Sequence, residues 1–320
     1  MTLQSDAIVD RRRLRRRLTL WRVLAVVAGV IAVTALAIRA GGDVLGGRQI
    51  ARINITGVIT EDRAQLALLK TLAKDDRVKA VIVHLNSPGG TTTGGEALYE
   101  GLRELAKKKP VVAVFGTIAT SAAYIVGLGT DHIVARGNSV TGSVGVIFQW
   151  AEVSQLLDKL GIRMNEVKSG TLKATPSPFQ PLDEAGRRLA EEMVADSQRW
   201  FLRLVSDRRK IDPAAVPGLT QGRIFTGRQA LDAKLVDALG SEIEAVKWLE
   251  EQRGLTKDLA IVDWKPKQES PFGFLGTLSI GLRDLFWPGA DRIAGELGLG
   301  PVVARLRLDG LVSVWHAPAN

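Results

Sequence analysis

Apolar and polar positions alternate along the middle of the chain in units that read as strand, then helix. Ile53, Ile55 and Val58 mark a strand over 50–59, and Leu66, Leu68, Leu69 and Leu72 recur at helical spacing over 62–74. A β-rich run follows from Val78 to Leu85 and ends in the glycine-rich turn Asn86-Ser-Pro-Gly-Gly90. Leu98, Leu102 and Leu105 then share one face of a helix over 94–108, whose lysine-rich last turn suits the helix dipole. The alternation predicts strands at 111–115, 132–135, 143–148, 163–167 and 222–226. It predicts helices at 121–128, 151–160, 183–210, 227–234 and 241–252. Units of this size with short crossovers read as an α/β domain over 50–264.

The two ends depart from this pattern. Leu18 to Ile38 is apolar apart from Arg22 near its start, and at 1.5 Å per residue it is long enough for a hydrocarbon core of about 30 Å. Residues 1–17 are basic, 18–38 read as a transmembrane anchor and 39–49 as a glycine-rich linker. A cleavable signal peptide is the competing reading of the same run. Arginines before it predict a cytoplasmic N-terminus and an exported body on the far side of the membrane. Beyond Trp264, residues 265–320 form an apolar tail punctuated by glycine, read as covering a groove, facing an oligomer or lying on a membrane surface.

Charge narrows the class once it is located. The formal net charge is +9, but residues 1–40 hold eight arginines against Asp6 and Asp10. With the excess in one terminal block, a nucleic-acid groove is not expected. The chain has no cysteine, so disulfides and thiolate chemistry are excluded, and no histidine or carboxylate spacing suggests a metal. No cofactor is expected. The run 88–95 is glycine-rich but lacks the Gly-Lys-Ser/Thr ending of a phosphate loop.

Within Gly116-Thr-Ile-Ala-Thr-Ser-Ala-Ala-Tyr-Ile-Val-Gly127, Ser121 falls between a buried-strand run and a small-residue helix. A serine there is either a helix N-cap or a nucleophile on a strand-to-helix turn. There are three histidines (84, 132 and 316), and none has a geometric claim on Ser121. That leaves lysine as a base, with Lys168 and Lys173 as candidates. An amine can act so only when desolvation or a nearby cation favours its neutral form. Asn86 to Gly90 offers backbone N–H groups after a strand, suited to an oxyanion or to a plain turn.

Five ordered blocks carry a resemblance: Asn86-Ser-Pro-Gly-Gly90, Ala119-Thr-Ser-Ala-Ala-Tyr124, Val140-Thr-Gly-Ser-Val-Gly-Val146, Lys168-Ser-Gly-Thr-Leu-Lys173 and Gly222-Arg-Ile-Phe-Thr-Gly-Arg-Gln-Ala230. Over 50–240 the chain resembles the signal peptide peptidase A (SppA) family of membrane-anchored serine proteases. The resemblance implies a ClpP/crotonase-like spiral of repeated strand-helix units and a Ser/Lys dyad: Ser121 as nucleophile, Lys173 as base. It also implies Ser143 as the residue orienting the lysine, Gly89 and Ala122 as oxyanion donors and a structural role for Lys168. The implied substrates are cleaved signal peptides at the bacterial inner membrane, and the implied assembly is a homo-oligomer with active sites shared between subunits. One departure stands out, because the family's Ser-Gly-Gly-Tyr is here Ser121-Ala-Ala-Tyr124. If the family's glycines use φ > 0, alanine would not follow. A catalytically weak peptide-binding scaffold and a crotonase-type acyl-CoA enzyme are the alternatives.

Overall fold

The computed structural model describes residues 18–33 and 47–266, and the backbone of 310–314. Two units are distinguished, residues 1–48 and 49–320. In the first, residues 18–33 form a helix, α1, whose large apolar side chains, Trp21 and Leu24 among them, are exposed. Among the described residues no helix is long and apolar enough to cross a membrane. The span expected over 18–38 is therefore not shown here, since residues 34–38, like 1–17, lie outside the described residues.

The second unit is built on a ten-stranded mixed sheet. In chain order its elements are β1 (Gln49–Ile59), α2 (Arg63–Lys74), β2 (Val78–Thr91), α3 (Thr92–Ala106), β3 (Val111–Thr120), α4 (Ala122–Leu128), β4 (His132–Ala135), β5 (Val140–Gly142) and β6 (Ile147–Gln149). Then come α5 (Ser154–Lys159), α6 (Glu184–Arg209), β7 (Ile224–Thr226), α7 (Gly227–Asp232), β8 (Ala238–Leu239), α8 (Glu242–Arg253), β9 (Ala260–Asp263) and β10 (Gly310–Val314). Parallel pairing of β1, β2, β3, β4 and β8 forms the central run, with β9 parallel on β1.

Successive residues of β2 feed two cores, as the period of two requires. Val81, Val83 and Leu85 pack with leucines of α2 and α3, with Tyr124 to Val126 of α4 and with Phe201 of α6. Ala80 and Ile82 face Ala245 and Leu249 of α8 on the other side. Each such buried leucine or isoleucine contributes about 1.5–3 kcal/mol.

Three expected elements differ. Asn86 to Gly90 is not a turn, because β2 runs on through it and its Gly89 and Gly90 pair with Val58 and Ile59 of β1. The strand expected over 143–148 is broken, with Gly142 and Ser143 at positive φ (83° and 53°) separating β5 from β6. Residues 163–167 form no strand. Their two apolar residues, Met164 and Val167, lie three apart and not two, both are exposed, and no described strand lies alongside to pair with them.

Candidate active site

Asn86, within β2 just past Leu85, sets the approach to the site. Its Oδ1 accepts a hydrogen bond from Ile118 N–H (3.2 Å), and a Cβ on Gly116 would come within 3.1 Å of the Asn86 side chain. The ladder between β2 and β3 therefore slips, from Leu85 opposite Phe115 to Ser87 opposite Ala119. Beyond the slip, β3 turns to pair with β5, Thr120 opposite Gly142. Thr120 Oγ1 donates to Pro88 O (3.1 Å) and Thr141 Oγ1 to Ala119 O (2.7 Å), which fixes the last residues of β3 from both sides. Gly90 is required by close approach, since a Cβ there would lie 1.8 Å from the carbonyl oxygen of Ile59.

Ser121 follows, between β3 and α4, with φ 60° and ψ −120°. This region is sparsely populated for a residue with a side chain, at a cost of about 1–3 kcal/mol. The surroundings hold it there: Ser121 N–H donates to Gly142 O (2.9 Å), and Ser121 O accepts from Ile125 N–H (3.0 Å). Its hydroxyl makes no capping bond to α4. A strained serine that heads a helix without capping it has the geometry of a nucleophile elbow. Of the two roles open to Ser121 in the sequence, that of side-chain N-cap is not taken up. The side chain is buried, at 1% relative exposure.

The positive φ falls on Ser121, while Ala122 and Ala123 are ordinary helical residues of α4. The concern raised by their replacing glycines is thereby removed. The Ala122 methyl is housed by Gly95 of α3, where an added Cβ would meet it at 3.2 Å. Ala122 N–H, first in the helix, has no acceptor among the described residues and stands at the positive end of the α4 dipole. Gly89, at φ 110°, is turned differently: its N–H donates to Ser87 Oγ at 3.1 Å. An oxyanion there would have to draw the N–H away from Ser87.

Ser143 sits beside this elbow. It follows Gly142, the residue bonded to Ser121 N–H, and its own N–H donates to Arg223 O (2.9 Å). Ser143 lines a pocket of about 390 Å³ with Gly145, Val146, Ile147, Gln198 and Thr220. Gln198 Nε2 donates to Val144 O and Thr220 O, and its Oε1 is buried without a partner. Sequence reasoning missed Gln198, because nothing local marks a mid-helix glutamine.

The two lysines lie elsewhere. Lys173 is exposed in the irregular segment after α5, and Lys168 pairs with Glu166 at 2.7 Å. Nothing described within one subunit brings Lys173 against Ser121. Of the histidines, His132 stacks on Trp248 with centroids 4.6 Å apart and faces Asp237 at 3.8 Å, His84 is internal to β2, and His316 lies outside the described residues. Among the described residues there is no group of three or more histidine or acidic side chains able to hold a metal.

The chain is similar to known proteins over much of its length. The profile of peptidase family S49 matches residues 103–256, and that of Clp protease matches 48–138. A protein described as a protease in Synechocystis sp. is 35% identical over 68% of this chain and 78% of its own length. One so described in Methanocaldococcus jannaschii is 31% identical over 75% and 82%. A protein described as signal peptide peptidase SppA in Enterococcus faecium is 33% identical over 68% of this chain and 67% of its own. Among solved structures, a membrane-bound stomatin-specific protease superposes with a TM-score of 0.45 at 14% identity, covering 69% of this chain and 99% of that one.

Proposed function

From its membership of the signal peptide peptidase A family, the serine peptidases of family S49, we propose that this chain is an endopeptidase whose nucleophile is Ser121. The observation that carries the reading is the strained, uncapped serine at the β3–α4 junction. In the proposed cycle Lys173, as a neutral amine, takes the Ser121 proton while Oγ attacks a peptide carbonyl. Ala122 N–H and Gly89 N–H, once Gly89 turns from Ser87, hold the negative oxygen; the amine leaves with the proton, and water then frees the acyl group. Ser143 orients the lysine amine from beside the elbow.

Lys173 is exposed whereas Ser121 is buried. We assign the base to a neighbouring copy of the chain, its loop entering near Ser143. Leu156, Leu160, Ile162, Met164, Leu172 and Phe179, all exposed around this loop, supply an apolar surface for such assembly. Substrates are the apolar peptides left when signal sequences are cut from exported proteins. The exposed apolar side chains of α1, following the arginine block, tether the enzyme to the bacterial inner membrane on which those peptides lie, with the protease domain on the extracytoplasmic side.

A fluorogenic peptide of signal-sequence composition tests the chemistry. Ser121→Ala and Lys173→Ala should each lower kcat by at least about a thousandfold with the fold retained, and unchanged turnover in either would remove that residue from the mechanism. Mixing the two variant chains should restore activity if the site is shared between copies; failure to complement puts both residues in one subunit. Because the amine must be unprotonated to act, kcat/KM should climb with pH along a single ionisation, and a flat profile would count against a lysine base.

A further inference from the structure

The pocket of about 390 Å³ beside the elbow reaches inward to Ser143, which is buried, and opens past Ile147, Thr220 and Gln221, which are exposed. Gln198, half-buried on α6, forms part of its wall. The amide is oriented by its neighbours: Nε2 donates to Val144 O (3.3 Å) and Thr220 O (3.4 Å), and exchanging its ends would set oxygen against two carbonyl oxygens. Oε1 is left buried with no donor. A buried acceptor in that state costs free energy, which a donor arriving in the pocket would recover. The wall itself carries no charge. None of the residues lining the pocket is ionisable. On α6 the positions about one turn from Gln198 are Val194, Ala195, Phe201 and Leu202, while Asp196 and Arg199 are exposed and pair with each other at 3.1 Å. Just past Gly222, the Arg223 guanidinium is engaged over the Phe225 ring (4.9 Å to its centroid) and with Pro217 O (3.2 Å), and beyond β6 Glu152 accepts from Ser154 N–H (3.1 Å).

We infer that this pocket receives the amine of Lys173 from the neighbouring copy and that Gln198 is a positioning residue for it, Oε1 accepting one of the amine's N–H groups. The inference rests on the Ser121 and Lys173 reading and deepens it by naming a residue that reading leaves out. A neutral amine has one lone pair and two N–H groups. With the lone pair directed at the Ser121 hydroxyl, whose proton it takes, both N–H groups need acceptors: Ser143 Oγ serves one and Gln198 Oε1 the other. The kind of acceptor matters as much as its place. A carboxylate here would favour the ammonium and keep the base protonated, whereas an amide oxygen aims the amine without adding charge. The uncharged wall acts in the same direction, because desolvation favours the neutral amine. On the lysine's own segment, Lys168 is already paired with Glu166 (2.7 Å), which leaves that carboxylate engaged.

Gln198→Glu and Gln198→Leu in the full-length chain, assayed with a fluorogenic peptide across pH, form the test. Gln198→Glu, nearly the same size, should move the midpoint of kcat/KM against pH upward by about one unit or more, with kcat recovering on the alkaline side of the new midpoint. Gln198→Leu should lower kcat about tenfold or more at every pH while KM stays within about twofold, with no upward move of the midpoint. A glutamine that only packs would lower the urea midpoint in either variant and leave the pH midpoint where it is. That result, or an unmoved pH midpoint in Gln198→Glu with Lys173→Ala inactive, would overturn the inference and leave the Ser121 and Lys173 reading standing. Should Gln198→Leu fail to fold, the pH midpoint of Gln198→Glu decides alone. Full turnover by Lys173→Ala beside an inactive Ser121→Ala would remove the lysine from the mechanism, and this inference with it.

Discussion

At Ser121, φ 60° and ψ −120° are imposed on a residue with a side chain, and glycine would adopt them without strain. Ser121→Gly is therefore expected to stabilise the fold by about 1 kcal/mol, a rise in Tm of roughly 2–4 °C, while abolishing turnover; a lower Tm would mean that the hydroxyl contributes more to the fold than the strain costs. His132 offers a separate residue-level test. Burial holds its imidazole below the ordinary value of 6.5, against the opposing pull of Asp237. A group with a depressed folded pKa supports the fold fully above its unfolded pKa, and that support is lost as pH falls below about 6.5 toward the folded value. Denaturant melts between pH 7.5 and 5.5 should show this decline, and His132→Phe, which keeps a ring against Trp248, should flatten it. Ser121 was legible as a candidate because an apolar strand run meets a small-residue helix there. Its φ was not, since the conformation comes from the bond to Gly142 O, a residue remote in sequence.

Helix α4 is the element that presents the elbow, and its far end is held by side chains. Arg208 donates to Leu128 O (2.8 Å) and to Thr130 O (2.8 Å), capping carbonyls that the helix leaves open. Tyr124 Oη donates to Leu235 O (2.8 Å), with burial keeping the phenol protonated. Arg208→Ala should cost about 1–3 kcal/mol in urea unfolding and loosen the elbow, so kcat should drop more than KM rises; an unchanged urea midpoint would show that water replaces the guanidinium. Strands β2 and β3 and helices α3 and α6 could be read from apolar periodicity because burial on both sides of a sheet, or on one face of a helix, writes itself into the sequence. Asn86 to Gly90 looked like a turn because glycine and proline usually mark one, whereas here the glycines serve the close approach of β1. β9 and β10 went unrecognised because a strand whose partners lie some two hundred residues away carries no local sign of them.

For the whole molecule, the exposed apolar side chains from Leu156 to Phe179 predict self-association. Light scattering should show a mass that is a multiple of one chain, and Leu160→Asp should lower that mass and the activity together. A monomer with full activity would remove the neighbouring copy from the site. The family blocks were readable because each is local, and the resemblance implied sites shared between subunits; the exposure of Lys173 and the burial of Ser121 were not readable, since burial depends on how distant segments pack. Strand β2 joins these scales, carrying the two cores on its faces and, through Ser87 opposite Ala119, the last residues of β3 before Ser121. Any peptide that binds the folded chain alone adds to the free energy of unfolding in proportion to the logarithm of its concentration. Heat then becomes a means of finding substrates. A peptide library screened by thermal shift on the Ser121→Ala chain would rank ligands by the temperature each adds, with no cleavage required.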